Sequence, residues 1–409
     1  ANDPFADIVI LWNGCQGTIL GQGVLQPLDN YVSLFTEDED ASWMLAGKMF
    51  GNYYLLNFIM DFINQWPLVY NIKYIEAVDA LKENGKTVYP TDLFKRGEWT
   101  WSKFEEYLSK INAYYSGKPA PVRPDVPIKA FQTDYRYTAM QALHSMGVAL
   151  FGENGTEIDT AEAKKAIQYL DNLMSKGLMM SVRYGDDTPV PGWTWNANDF
   201  ANGETVFTNM VPWLSGSSAN TLAGRGESMG IVPFPRPDEY APDDPRYRQV
   251  AVSKDSCAIL KGLSKEKTEL ALKTFKLYIQ TYYKTLAGSD KAMDYLNKMS
   301  QSAALEQGFD IVHEAIGGDI LDMFNYIART KTNEFGESLG LLAVWGEEIV
   351  GNSFYGLNNT PKYDVAVEAN KHKVTEYLST IEKALKSGKV TDNIAPKISK
   401  IDSNEPLAL

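Results

Sequence analysis

Aromatic side chains placed beside planar polar ones are the chemistry-bearing pattern of this sequence. They number nine Trp and 23 Tyr in 409 residues. A pyranose ring has an apolar face that packs on an aromatic ring, while its hydroxyls need polar partners such as Asp, Asn or Gln. The pattern therefore predicts carbohydrate binding, although each position alone is also compatible with core packing. The candidate ligand-binding residues are Trp12, Asn13, Asp61, Gln65, Trp66, Tyr137, Trp193, Trp195, Trp213 and Trp345.

Trp213 is the last residue of the most informative stretch of the chain. Residues 202–213 read as a helix end, a turn, a buried strand and a Pro-Trp corner, and a second apolar strand at 229–232 stops before two prolines. Open α/β sheets bind ligands at the carboxyl ends of their strands. Position alone leaves two interpretations of Trp213 open, a ligand contact and a core tryptophan at a strand end.

Signatures of catalysis and of metal binding are weak. His144, His313 and His372 lie far apart, and neither a P-loop nor a G-x-S-x-G motif occurs. The glycines from Gly14 to Gly23 do not follow the G-x-G-x-x-G order of dinucleotide sites. We predict a protein that is not an enzyme and needs no metal or cofactor. A secreted glycan-active enzyme stays open as an alternative, since a glycosidase needs only two carboxylates about 5–10 Å apart.

Length and charge narrow the class further. A chain of 409 residues favours two domains. The net charge of −13 has the wrong sign for nucleic-acid binding, and no apolar run approaches the length of a membrane-spanning helix. Cys15 and Cys257 are interpreted as small buried residues, with a disulfide as the alternative.

Hydrophobic periodicity predicts an α/β protein with mainly parallel sheets. Helix caps are predicted at Asp159 or Thr160 and at Asn198 or Asp199. Strands are predicted over 6–12, 54–62 and 250–260. Helices are predicted over 40–50, 101–115, 135–152, 160–176, 195–203, 264–286, most of 289–330, 337–352 and 364–388.

Several blocks resemble, in order, the extracellular solute-binding proteins of ABC importers, the family that includes maltodextrin-binding protein. The family's G-x-L-x-P-L-D helix exit matches 23–29, its T-W-x-E-F helix start matches 100–104, and its F-x-x-G-x-x-A-M and G-x-W corner matches 200–213. The G-x-x-P-x-P strand matches 230–235, and the S-x-x-K-x-x-A-x-x-F-x-x-Y helix matches the region from Ser264. The resemblance covers nearly the whole chain.

The resemblance implies a two-lobed periplasmic-binding-protein-like fold with a ligand cleft between lobes. The first lobe would comprise 1–62 and 257–325, the second 67–250 and 330–390, and 391–409 an irregular tail. The usual amino-terminal strand-helix-strand unit is expected to be absent. Hinge crossovers are expected near 62–67 and 252–258 and before 337.

The resemblance also assigns site roles. Trp12, Tyr137, Trp213 and Trp345 match positions of stacking rings in the maltodextrin-binding relative. Asp61, Gln65 and Trp66 rest on the hinge alignment, and Trp193 and Trp195 have no firm counterpart. Trp345 lies on an apolar helical stripe that also suits a packed face.

The implied function is binding of an oligosaccharide, and its delivery to an ABC-transporter permease by hinge closure. The chain would be a monomer outside the cytoplasm, as a membrane-anchored lipoprotein or a periplasmic protein. The same fold binding a non-sugar solute is the alternative.

Overall fold

The fold contains two main β-sheets with helices packed against them. Its computed structural model describes residues 6–12, 16–35, 48–57, 67–148, 155–181, 195–210, 221–249, 255–288, 305–307, 345, 349–350 and 362–387. The strands are β1 (Ile8–Trp12), β2 (Lys48–Met49), β3 (Asn52–Tyr53), β4 (Leu55–Asn57), β5 (Leu68–Asn71), β6 (Lys82–Glu83), β7 (Lys86–Thr87), β8 (Lys129–Thr133), β9 (Met179–Ser181), β10 (Thr205–Asn209), β11 (Met229–Val232), β12 (Asp255–Ile259) and β13 (Leu305–Gln307). The helices are α1 (Gln16–Gly21), α2 (Ile72–Glu76), α3 (Pro90–Lys95), α4 (Trp101–Tyr115), α5 (Tyr135–Ser145), α6 (Ala161–Ser175), α7 (Trp195–Ala201), α8 (Lys265–Ala287) and α9 (Tyr363–Ser387).

The small sheet has the order β1-β12-β4, and both pairings are antiparallel. Helix α8 covers it. Leu272, Phe275 and Ile279 recur at helical spacing, are buried, and share a hydrophobic cluster with Cys257 and Ile259 of β12. This spacing makes one apolar stripe on α8, and burying that stripe against the sheet stabilises both elements.

The large sheet has the order β13-β11-β5-β10-β8-β9. Strands β10, β8 and β9 run parallel, whereas β5 is antiparallel to both of its neighbours. Every residue of β5 and β10 is buried, as expected for strands covered on both faces. On one face, Phe104 of α4 packs edge-on against Phe131 of β8 and Phe207 of β10, with ring centroids 5.6 and 5.4 Å apart.

Helix α9 connects distant parts of the chain. Near its start, the Tyr363 hydroxyl donates to the Ile158 carbonyl at 2.7 Å, and Lys371 forms an ion pair with Asp159. The helix packs against both α6 and α1. Its buried Val374, Leu378 and other apolar residues belong to the main hydrophobic core. Helix α9 thus holds α1 and α6 together.

Several predicted elements are confirmed with bounds close to the prediction. These are the strand at 6–12 and the helices at 101–115, 160–176, 264–286 and 364–388. The strand predicted over 250–260 is confirmed over Asp255–Ile259, and residues 250–254 lie outside the described residues. The predicted cap at Thr160 is also confirmed, because its side chain accepts a hydrogen bond from the amide of Ala163. The α/β class is confirmed, with mixed sheets rather than mainly parallel ones.

Two predicted helices are wrong where the structure describes them. The helix predicted over 40–50 does not extend to residue 50, because Lys48–Met49 is a strand. Phe50 and Gly51 have φ of 47° and 85° and turn the chain back into β3. Within the helical prediction for 289–330, residues Leu305–Gln307 form β13. It pairs with β11 in the large sheet.

Two helix ends also differ from the prediction. Helix α5 ends at Ser145 rather than 152, because Gly147 takes a φ of 76° and its amide bonds to His144. Asn198 and Asp199 lie inside α7 and do not cap it. The lobe boundaries and the amino-terminal unit stay predictions, and the tail lies outside the described residues.

Cys257 is buried in β12, and Cys15 lies outside the described residues, so their pairing stays a prediction. No helix among the residues that the structure describes is long and apolar enough to span a bilayer.

Candidate functional site

Strand directions define one edge of the large sheet as the candidate site. The parallel strands β8, β9 and β10 end at Thr133, Ser181 and Asn209 on the same edge. Strand β5 begins there, because Leu68 pairs with Asn209, and β11 ends there, because Val232 pairs with Leu68. We call this the carboxyl edge. The ends of parallel strands are where α/β sheets receive ligands.

The strand ends at the carboxyl edge lie close in sequence to several of the predicted site residues. Trp66 precedes Leu68 by two residues, and Trp213 follows Asn209 by four. Tyr137 lies in the first turn of α5, directly after β8, and is half-buried against the core. Trp195 is the first residue of α7. Of the sequence-predicted residues, Asn13, Asp61, Gln65, Trp66, Trp193 and Trp213 lie outside the described residues, so their contacts stay predictions.

Trp12 lies in the small sheet, and Trp345 lies in the hydrophobic core. Trp12 ends β1 of the small sheet, where its backbone pairs with Asp255 of β12. Trp345 is completely buried, and its ring meets that of Tyr363 edge-on at 6.1 Å between centroids. This conformation offers no exposed face of the Trp345 ring. Stacking of Trp345 on a ligand stays a prediction, and it would require the ring to become exposed.

A fully buried polar network fixes the carboxyl edge. Asn209 Oδ1 lies 2.7 Å from Thr138 Oγ1 and 3.1 Å from Thr133 Oγ1, and the two hydroxyls are 2.9 Å apart. These residues lie at the end of β10, the start of α5 and the end of β8. Buried polar groups cost several kcal/mol when unbonded, so the network ties these three elements into one arrangement.

The start of α5 is held from the backbone as well. The carbonyl oxygen of buried Asp134 lies 3.3 Å from both the amide and the hydroxyl of Thr138. Tyr137 is the neighbour of Thr138, so these bonds fix the backbone that carries the predicted stacking ring. The network could not be recognised from the sequence, because it requires knowing that β8 and β10 are neighbours.

A second polar contact ties α7 to the sheet. Asp199 accepts a hydrogen bond from the side-chain amide of Gln132 on β8, with Oδ2 and Nε2 2.6 Å apart. Burial, together with the nearby Glu204 carboxylate, raises the pKa of Asp199 to about 7, against the opposing effects of Arg123 and the Gln132 bond. Sequence reasoning missed this role and interpreted Asp199 as a helix cap.

The histidines and acids do not assemble into a metal centre in the part of the chain that the structure describes. His144 is buried, and its Nδ1 lies 2.9 Å from the Met140 carbonyl oxygen. His372 lies on α9, and His313 is outside the described residues. No group of three or more His, Cys, Asp or Glu side chains among the described residues is placed to hold a metal ion.

Solved structures similar to this chain share its architecture. The sugar-binding protein MalE from Xanthomonas citri is 16% identical, with a TM-score of 0.56 over 91% of this chain and 84% of that one. The ABC substrate-binding protein Lmo0181 from Listeria monocytogenes, in complex with cycloalternan, is 13% identical, with a TM-score of 0.52 over 91% and 85%. UgpB from Mycobacterium tuberculosis, in complex with glycerophosphocholine, is 16% identical, with a TM-score of 0.51 over 94% and 84%.

The chain has the two-lobed solute-binding-protein fold. No protein-family model and no curated sequence matches it. Identities below 20% carry no residue roles, so the solute-binding-protein fold fixes the architecture and leaves the ligand to be argued from the site.

Proposed function

We propose that the chain binds an oligosaccharide in a cleft between its lobes, with the carboxyl edge of the large sheet as one wall. The observation that carries this proposal is the strand topology. The strand ends Leu68, Thr133 and Asn209 share this edge, and they lie within four residues in sequence of Trp66, Tyr137 and Trp213. Sugar-binding proteins among the structural neighbours support the same ligand class.

In this proposal the aromatic residues stack on pyranose rings and the polar ones bind hydroxyls. Tyr137 and Trp213 act from the second lobe, and Trp12 with Asn13 acts from the small sheet. Asp61, Gln65 and Trp66 act from the predicted hinge. Trp193 and Trp195 act from the start of α7, and Trp345 would join only after the ring becomes exposed.

Function would follow from closure. A ligand that contacts both lobes only in the closed form shifts the population toward that form. An ABC permease in the membrane would then recognise the closed shape and accept the sugar. This places the chain on the outer side of the membrane, as a periplasmic or extracellular protein.

The proposed activity is binding without turnover. Incubation of the protein with a panel of oligosaccharides, followed by chromatographic analysis of the sugars, is expected to return each sugar unchanged. Appearance of shortened products would instead support the glycan-active enzyme.

A non-sugar solute is the second candidate, and the neighbour in complex with glycerophosphocholine gives it a specific basis. A phosphate-bearing ligand calls for Arg, Lys or a helix amino terminus in the cleft rather than stacked aromatic rings. The aromatic content of the segments at the carboxyl edge therefore favours a sugar.

A thermal-shift screen tests the proposal. The panel contains linear and cyclic oligosaccharides, monosaccharides and glycerophosphocholine. A ligand at 100 times its Kd stabilises the folded state by about 2.7 kcal/mol. Stabilisation by an oligosaccharide supports the proposal, whereas stabilisation by glycerophosphocholine alone would replace it with the second candidate.

A further inference from the structure

Helix α7 is a short element that joins the candidate site to the sheet. It packs against β10, and its end is followed by a turn in which the Glu204 amide bonds to the Asp199 carbonyl. Arg225 donates from its guanidinium to the carbonyl of Ala201 at the carboxyl end of α7. The helix therefore begins toward the carboxyl edge and ends near the start of β10.

Asp199 is the side chain that fixes α7 to a strand other than β10. Its carboxylate accepts a hydrogen bond from Gln132 Nε2 at 2.6 Å, and the backbone amide of Gln132 donates to Thr205 Oγ1 at 3.1 Å. Trp195 lies one helical turn before Asp199, about 6 Å along the axis. A small tilt of α7 at Asp199 would displace the start of the helix, where Trp195 lies.

Two charged side chains, Glu204 and Arg123, influence the carboxyl group of Asp199. Glu204 is buried beside it and has both carboxylate oxygens 3.3 Å from Arg123 Nη1. Glu204 disfavours the ionised form of Asp199, and Arg123 favours it. Asp199 itself is nearly buried and is paired with a neutral amide rather than a cation. Its ionised form is therefore poorly compensated in the position that the structure shows.

We propose that Asp199 is a positioning residue of the sugar site: it seats α7 against β8 through Gln132 and so sets the position of Trp195 at the start of the helix. This inference rests on the proposed function. It adds that seating of α7, and with it sugar affinity, depends on the protonation of Asp199.

The direction of the pH effect follows from the linkage between proton binding to Asp199 and the seating of α7. The pKa of Asp199 is about 7 in the seated position, and an exposed aspartate titrates near 4. Protonation therefore favours the seated helix between those two values, so seating weakens as the pH rises toward 7 and is constant above it. We expect the wild-type protein to bind sugar more tightly at pH 5.5 than at pH 8, by up to about 30-fold.

Three variants test the inference by calorimetric titration with the oligosaccharide from the thermal-shift screen. Asp199→Asn keeps an acceptor for Gln132 but carries no charge, so it should bind equally at both pH values, near the tighter wild-type affinity. Asp199→Ala removes the acceptor and should bind more weakly at both. Asp171→Asn is the matched control, because burial also raises the pKa of Asp171, to about 6, on α6. It should keep the wild-type pH dependence.

The outcomes separate the inference from the proposed function. A pH dependence shared by wild type and Asp199→Asn, or absent from wild type, overturns the inference and leaves sugar binding intact. Unchanged affinity in Asp199→Ala does the same. If circular dichroism shows that Asp199→Ala is unfolded, the comparison of wild type, Asp199→Asn and Asp171→Asn decides alone. Failure of wild type to bind any sugar at either pH overturns both proposals.

Discussion

At the residue scale, two buried polar contacts affect stability in different ways. The Thr133, Thr138 and Asn209 network is neutral, and each of its oxygen atoms lies within hydrogen-bond distance of the others. Asp199 is ionisable and nearly buried, and its side chain is bonded to a neutral amide. A neutral network stabilises the fold at any pH, whereas a buried carboxyl makes stability depend on pH.

The stability of the protein should therefore fall as the pH rises through the range in which Asp199 titrates. The folded protein holds the Asp199 proton to a pKa of about 7, compared with 3.8 for the ordinary group, so this loss accumulates between those values and is complete above pH 7. Asp199→Asn should be more stable than wild type at pH 8, by at most about 4 kcal/mol, and the difference should shrink at pH 4.5. Urea unfolding at both values measures it. A stability difference independent of pH would contradict this prediction.

Trp213 should contribute stacking to the sugar site, because it follows the end of β10 at the carboxyl edge. Trp213→Ala should weaken binding by about 1–3 kcal/mol, while Trp213→Phe, which keeps a ring, should retain most of the affinity. Calorimetry on folded variants measures both. Unchanged binding in Trp213→Ala, or loss of the fold, would favour the core interpretation.

At the element scale, the turn between α7 and β10 depends on a glycine. Gly203 has a φ of 77°, and a Cβ there would lie 2.5 Å from Tyr74 Oη and 2.8 Å from Pro121 Cγ. Tyr74 Oη also donates to the Gly203 carbonyl at 3.0 Å. Backbone strain and close packing therefore act at one position.

Gly203→Ala should destabilise the protein by about 3 kcal/mol, from left-handed backbone strain together with overpacking. Gly177→Ala is the matched control, because Gly177 has a φ of 66° and a Cβ added there would have no neighbouring atom within 4 Å. It should cost only about 1 kcal/mol. Denaturant unfolding compares them, and equal losses would show that the packing against Tyr74 and Pro121 is unimportant.

The sequence predicted those helices and strands well whose residues within the element itself determine the structure. Helix α4 has the predicted bounds because its buried Phe104, Leu108 and Ile111 recur at helical spacing and Thr100 caps its start. Strands β2 and β13 were missed because such short strands are determined by partners elsewhere in the chain. The aromatic residues proposed for the site are suggested by the sequence alone and stay predictions. The Thr138 to Asn209 contact could not, because it spans 71 residues.

At the scale of the whole molecule, the proposed function requires movement between two lobes. Ligand-induced closure should reduce the radius of gyration in small-angle scattering at saturating oligosaccharide. A sugar that the protein does not bind in the thermal-shift screen serves as the control. An unchanged radius at saturation would contradict closure while leaving sugar binding in place.

The central claim is that this chain binds an oligosaccharide, and isothermal titration of the wild-type protein with a series of oligosaccharides tests it most directly. We expect saturable binding of at least one oligosaccharide at one site per chain. We also expect weaker or no binding of the corresponding monosaccharide, which can contact fewer stacking rings. No saturable heat with any sugar, together with saturable binding of glycerophosphocholine, would contradict the claim.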